Sequence, residues 1–212
     1  MAASRRRNVK KSDAENSQIS FKQVINTKTE LVLQSRKHAN SVFDLLEYLQ
    51  SEKEKEVVFA VDACQNLFCE LIERGELYVG QLPKEEEILQ GERHADEKYH
   101  IFIRHRYNSC VELLLENIGH ESYQVKESAL CALMKLAAAE GKHPLQKQDW
   151  SQHYNFPREL ISGLVWVLLS EKKDMALLIS RFQEFLEMDD VRYYVMNSVR
   201  DNIHRVMDRN KR

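Results

Sequence analysis

The stretch Lys55–Gly75, KEVVFAVDACQNLFCELIERG, decides the fold class of this chain. Large apolar residues recur in it at helical spacing, so they lie on one face of an α-helix. Gly75 comes directly after Arg74, at the position where a left-handed residue commonly ends a helix. The stretch therefore predicts a helix from about Lys55 to Arg74. Its predicted apolar face consists of Val58, Val61, Phe68, Leu71 and Ile72.

The same spacing recurs on both sides of this stretch, which indicates helices along most of the chain. Glycines and prolines mark several of the boundaries, and serine and aspartate residues offer N-caps. Before the opening stretch, helices are predicted at Val24–Arg36 and at His38–Gln50. After it, a short helix is predicted from Pro83, a long one at about Glu97–Ile118 that Gly119 ends, and another from the N-cap Ser122 until Gly141 and Pro144. The last three are predicted from Pro157 to about Leu169, across Met175–Leu186, and across Val191–Val206 after an N-cap at Asp189 or Asp190.

Turn residues are scarce, since the 212 residues include only six glycines and three prolines. So few turn residues leave little room for the many connections of a β-sandwich or barrel. Stacked pairs of antiparallel helices are the natural packing instead. Because no clean sequence repeat is visible, we predict an all-α fold, an irregular α-solenoid of antiparallel helix pairs of the HEAT or armadillo type.

The two ends of the chain differ in composition from its middle. Residues 1–20 are polar and basic and are predicted to be a disordered tail. A helical-repeat domain is expected at 21–208, with a basic C-terminal end at 209–212. The tail carries a candidate nuclear or nucleolar address, although a solvated terminus is the alternative. This candidate address consists of Arg5, Arg6, Arg7, Lys10 and Lys11.

Composition excludes several classes of protein. The formal net charge of −2 argues against a uniformly basic nucleic-acid-binding chain. The apolar run Leu164–Leu169, which no other run in the sequence exceeds, is far shorter than the ~20 residues of a membrane-spanning helix, so no membrane span is predicted. The four cysteines lack the spacing of a zinc or redox motif. They lie in apolar helical patterns, which favours reduced residues in the core.

Catalytic motifs are not evident in the sequence. It contains neither a glycine-rich phosphate loop nor a Gly-x-Ser-x-Gly elbow. His100 and His105 are five positions apart, whereas a metal-binding pair on one helix prefers a spacing of four. We therefore predict no catalytic residue, no cofactor site and no metal site. A helical enzyme that uses these two histidines with an acidic residue stays as a distant alternative.

The segment Arg104-His105-Arg106-Tyr107 is the most suggestive polar pattern. Two guanidinium groups beside an aromatic ring can hold a phosphate backbone or stack on a base. Arg104, Arg106 and Tyr107 are therefore the candidate contacts to RNA or to a partner. The alternative is a charged helix face with Tyr107 buried, since solvated arginines are the usual case on helix surfaces.

Several segments in sequence order resemble the N-terminal part of members of the CCAAT-binding factor family. Any one of them is a weak signal, but together they are specific, and they run from about Ser35 to about Tyr194. They are Ser41–Leu46 followed by Leu49–Glu52, then Leu71–Pro83, Arg104–Cys110, Gln124–Leu130 and Tyr154–Leu160.

This resemblance implies a helical-repeat scaffold, not an enzyme, that acts in the nucleus and nucleolus. It implies pairing with nucleolar protein 14 and with other proteins of the small-subunit processome, which matures the precursor of small-subunit ribosomal RNA. Contact with that RNA would be weak or indirect. The domain that gives the family its name, which carries much of the partner binding, lies outside the part that this chain resembles. A generic α-helical adaptor in a non-nucleolar complex is the alternative.

Overall fold

The computed structural model describes residues 21–86, 93–146, 156–170 and 174–210. The predicted basic tail and the last two residues, with Trp150 and Tyr154, lie outside these ranges. Within them the chain forms eight α-helices and no β-strand. The helices are α1 (21–34), α2 (Ser41–Tyr48), α3 (Glu54–Glu73), α4 (Ala95–Asn117), α5 (Tyr123–Lys142), α6 (Arg158–Leu168), α7 (Ala176–Phe182) and α8 (Asp189–Asn210). Short 3₁₀ helices at Arg36–His38 and Gln183–Glu187 precede α2 and follow α7.

Helix α3 is the helix predicted from the opening stretch, and each of its ends lies one residue from the prediction. Gly75 adopts a φ of 69°, a conformation that glycine accepts without strain. Its N–H donates to the carbonyl of Ile72 at 3.0 Å, and the N–H of Glu76 donates to the carbonyl of Leu71 at 2.9 Å. These two bonds satisfy carbonyls at the end of the helix in a Schellman motif.

The core is built around α3 and α5, which share the most extensive helix–helix contact among the described residues. Helices α4 and α2 pack against this pair, and the ring of Phe68 meets that of Tyr107 edge-on at 5.5 Å. Val42, Leu45 and Leu46 of α2 are buried, and so are the apolar residues of α5 from Val125 to Ala139 that face the core. In α3, however, Val57 is fully buried and the predicted Val58 only partly so.

Helices α6 and α8 lie side by side and run in the same direction. Three cross-helix contacts show this alignment, because both residue numbers increase together. They are Arg158 to Tyr194, Ser162 to Ser198, and Arg205 to Trp166. Helices of successive repeats stack in this way in a solenoid, so the all-α solenoid class is confirmed.

Some predicted helix ends differ from those of the structure. Helix α1 ends at residue 34 instead of Arg36, and α8 continues beyond Val206 to Asn210. Gly141 lies inside α5, which continues to Lys142; a glycine costs a helix only about 1 kcal/mol relative to alanine. The end of α4 lies within one residue of the prediction, since the helix ends at Asn117 and Gly119 follows the cap residue Ile118 without a positive φ. Asp189 lies in the first turn of α8, where its charge favours the helix dipole without acting as the N-cap.

None of the helices in the described ranges is both long enough and apolar enough to span a membrane. The four cysteines are free, with Cys64 and Cys110 buried and the other two partly buried.

Replacing Leu133 in the middle of α5 tests this core. The side chain is fully buried, so Leu133→Ala should lower the free energy of unfolding by ~2–5 kcal/mol through lost burial and the cavity left behind. Urea denaturation followed by circular dichroism measures the change. The matched control is Leu177→Ala on the exposed side of α7, which should change stability by less than about 0.5 kcal/mol. Equal losses in the two variants would contradict the described core.

Candidate interaction surface

The arginine-rich segment Arg104–Tyr107 lies in the middle of α4, and the sequence left open whether it forms a contact patch or a charged helix face with Tyr107 buried. Residues two apart on a helix point about 200° away from each other. Arg104 faces α5 and the start of α6, whereas Arg106 faces α2 and the connector between α3 and α4, of which residues 74–86 and 93–94 are described. The two guanidinium groups therefore do not lie on a common surface.

Arg104 is largely buried. Its guanidinium lies 5.8 Å from the centre of the Tyr107 ring, and its Nε and Nη1 atoms have no hydrogen-bond partner among the described residues. Burial lowers the pKa of Arg104, and the nearby carboxylates of Glu140 and Glu159 oppose that effect. The charge is thus compensated from within the fold.

Tyr107 is only 2% exposed, and its hydroxyl donates a hydrogen bond to Glu140. Burial raises the pKa of Tyr107, and the charge of Glu140 raises it further. The hydroxyl therefore stays protonated and acts as a donor that joins α4 to α5. Of the two alternatives for this segment, the structure has the one with Tyr107 buried, because the ring packs against Phe68 in the core.

Arg106 has 13% of its side chain exposed and forms an ion pair with Glu85. Its guanidinium also lies 4.6 Å from the ring centre of Phe43 and 5.4 Å from that of Phe102. Such stacking uses the flat face of the arginine, and the ion pair uses its edge. Arg106 thus anchors α4 to α2 and to the connector. Contact with RNA or a partner at Arg104 or Arg106 stays a prediction.

The histidines considered for catalysis do not converge. His105 forms a hydrogen bond through Nε2 to the carbonyl of Pro83 at 2.8 Å, which fixes the connector before α4. His100 lies one residue from Tyr99, and the two rings are 5.8 Å apart. Across the part of the chain that the structure describes, no three His, Cys, Asp or Glu side chains are grouped so as to hold a metal ion.

The exposed side of α8 is the surface that the sequence prediction missed. Ile203 and Val206 belong to the apolar helical pattern from which this helix was predicted, but both are exposed. Met196 and Met207 are exposed as well. The helix has apolar residues on two sides, which a single helical pattern does not separate. Testing the apolar positions for two sets, each at its own helical spacing, could have revealed the second side.

The comparisons with known proteins agree on one family. A family model described as "Nucleolar complex protein 4-like, TPR repeats" matches residues 12–208. The "Nucleolar complex protein 4 homolog" of Danio rerio is 68% identical over 212 residues, which are 100% of this chain and 40% of that protein. The Homo sapiens protein of the same name is 49% identical over 87% of this chain and 36% of its own length. "Nucleolar complex protein 4 homolog A" of Xenopus laevis is 46% identical over 95% of this chain and 37% of its own length.

The chain thus spans less than half the length of these relatives. No solved structure matches it. The resemblance of the quoted segments to the N-terminal part of a nucleolar family is confirmed. The family model describes the repeats as TPR, which are antiparallel helix pairs like the HEAT and armadillo repeats of the prediction.

The polar cluster of Arg104, Tyr107 and Glu140 should make stability depend on pH. Burial raises the pKa of Glu140 above its ordinary 4.5, and the Tyr107 hydroxyl and the Arg104 charge only partly offset this. As pH rises, the unfolded chain therefore loses this proton before the folded one. The stabilising contribution of the protonated carboxyl is complete below pH 4.5 and is lost as pH rises through the raised value.

The Glu140→Gln variant removes this titration. Urea denaturation between pH 4.5 and about 7 should show a smaller decrease in unfolding free energy for the variant than for the wild type. The control Glu112→Gln makes the same change at an exposed position of α4, and its pH profile should follow the wild type. A Glu140→Gln profile parallel to the wild type would show that this group does not couple folding to pH.

Proposed function

The chain belongs to the nucleolar complex protein 4 family, and from this premise we propose that it is a non-catalytic scaffold in nucleolar ribosome assembly. One observation carries the proposal. The family match extends over residues 12–208, and these residues include seven of the helices described above and nearly all of α8. It is therefore the stacked helices as a whole, and not one short motif, that connect this chain with proteins named for the nucleolus.

A stack of this kind suits a scaffold. Its chemistry-bearing residues are engaged in holding helices together, as Arg106 does with Glu85 and Tyr107 does with Glu140. The helices present an extended outer surface, which repeat proteins use to bind partners. The polar groups of α4 join it to its neighbouring helices, and we propose that partners bind to the outer faces of the stack.

The proposed process is maturation of the small-subunit ribosomal RNA precursor within the small-subunit processome. Nucleolar protein 14 is the proposed partner, with other processome proteins beside it. Contact with the RNA itself would be weak or indirect, since Arg104 and Arg106 already have carboxylates close by. The whole relatives are more than twice as long as this chain. We therefore propose for this chain only the part of the scaffold that its stacked helices form.

The proposed location is the nucleus and nucleolus, and the basic cluster near the N-terminus is the proposed address. This cluster lies outside the described residues. Such short basic runs direct proteins to the nucleus when they are accessible.

Affinity purification of the tagged 212-residue chain from vertebrate cells, followed by mass spectrometry, tests the scaffold proposal. Processome proteins, with nucleolar protein 14 among them, should be enriched over a tag-only control, and fluorescence of the tagged chain should be nucleolar. Diffuse cytoplasmic fluorescence with no nucleolar protein enriched would refute the proposal.

The address is tested separately by replacing its five basic residues with alanine. Nucleolar fluorescence should decrease in this variant, because the basic charge recognised during import is lost. A matched control replaces five exposed basic residues of the helical body and should stay nucleolar. The control residues are Lys37, Lys55, Lys84, Lys135 and Arg209. Equal fluorescence patterns in both variants would remove the cluster from the proposal.

A further inference from the structure

Helix α8 carries a stripe of exposed apolar side chains on its outer side. Tyr193, Met196, Ile203 and Met207 are 63%, 66%, 54% and 52% exposed. With Arg200 between them, their positions follow a spacing of three, four, three and four residues. This spacing places all five on one narrow line along a helix. We refer to these five residues as the α8 stripe.

The α8 stripe lies on the side of the helix opposite to its packed side. Val191 and Val195 are buried, and Ser198 meets Ser162 of α6 at 3.0 Å. At 100° per residue, these packed positions are centred about 200° from the stripe. Helix α8 therefore carries apolar residues on two sides, and the described residues leave the stripe side exposed along its length; beyond Arg200, Val206 on the other side is exposed as well.

Single exposed apolar residues are common on protein surfaces and need no explanation. Four of them at heptad spacing on one line are different, because this is the pattern by which one helix packs against another. The outermost helix of a finished solenoid instead has a polar outer face that keeps the end of the stack soluble. The outer face of α8 has the character of an internal layer.

We propose that the α8 stripe is the docking surface for an amphipathic helix from the part of the nucleolar complex protein 4 relatives that this chain does not cover. The relatives supply the necessary length, since the chain spans only 40% of the Danio rerio protein. The geometry also fits, because α8 already lies beside and parallel to α6. A further helix on the stripe continues the same stacking.

The charge of the stripe specifies the docked helix further. Arg200 interrupts the apolar residues, and its side chain is exposed beside Asp201 at 3.1 Å. A docked helix with an acidic residue opposite Arg200 gains a second ion pair there, and this fixes its register. The docked helix is therefore apolar on one side, with a carboxylate near the middle of that side.

Thiol labelling tests the docking directly. In the 212-residue chain, Met196→Cys and Ile203→Cys each place a reporter on the stripe, and Leu177→Cys places a control on the exposed side of α7. The same three variants are made in a chimera in which this chain replaces the matched part of the Danio rerio protein. Labelling by a maleimide is followed for each peptide by mass spectrometry, and light scattering gives the mass of each protein.

The two stripe positions should react rapidly in the 212-residue chain and about tenfold or more slowly in the chimera, because docking must open before reaction. The control position should react equally fast in both proteins. Equal rates at the stripe positions in both proteins overturn the proposal. Slow labelling in the 212-residue chain with the mass of a dimer also overturns it, in favour of a second copy as the occupant.

The natural Danio rerio protein provides the same comparison if the chimera does not fold. Cysteines are placed at its positions aligned with Met196 and Ile203, and labelling is compared between the whole protein and its matched part. Protection confined to the whole protein supports the docking, and its absence overturns it. The result does not depend on the proposed nucleolar role, because purified proteins are used without cellular partners.

Discussion

The packing of α3 against α5 holds two long helices together through apolar faces that run along most of their length, and the other elements are arranged around it. Val57 to Ile72 on α3 and Val125 to Ala139 on α5 contribute the buried side chains. Burial of such residues stabilises a fold by ~1.5–3 kcal/mol for each large side chain. Helix α4 closes one side of this pair through the contact of Tyr107 with Phe68. Without the α3–α5 contact, neither α2 nor α4 has an apolar surface on which to pack.

The polar residues of α4 acquire their roles from this packing. Because α4 must cover the core, the side of the helix with Tyr107 points inward, and Arg104 is drawn in beside it. A partly buried arginine and a partly buried carboxyl are tolerable when they compensate each other, and Glu140 lies within reach of both Arg104 and Tyr107. The segment that reads as an RNA-binding motif in the sequence is thus a means of joining α4, α5 and α6. The surfaces that we propose for binding are the outer faces of the stack.

Sequence patterns were sufficient for the helices whose surroundings are simple. The limits of α3 followed from apolar spacing and from Gly75, because a two-sided environment, core against solvent, leaves a clear periodic signal. The side chains of Arg104 and Arg106 could not be placed this way, since their partners Glu140 and Glu85 are distant along the chain. The exposed residues of α8 could not be predicted for another reason. Tyr193 and Met196 belong to a second apolar stripe, and two overlapping stripes obscure the period of each one.

Native-state hydrogen exchange, resolved for each helix, tests most directly whether the α3–α5 packing is the contact on which the stack depends. The central amides of α3 and α5 should exchange only through global unfolding and share the highest protection among the described helices. The C-terminal turns of α8, whose side chains from Ile203 to Arg209 are all exposed, should open at a lower free energy. Exchange of α3 amides as rapid as that of the last turns of α8 would show that the stack does not depend on this packing.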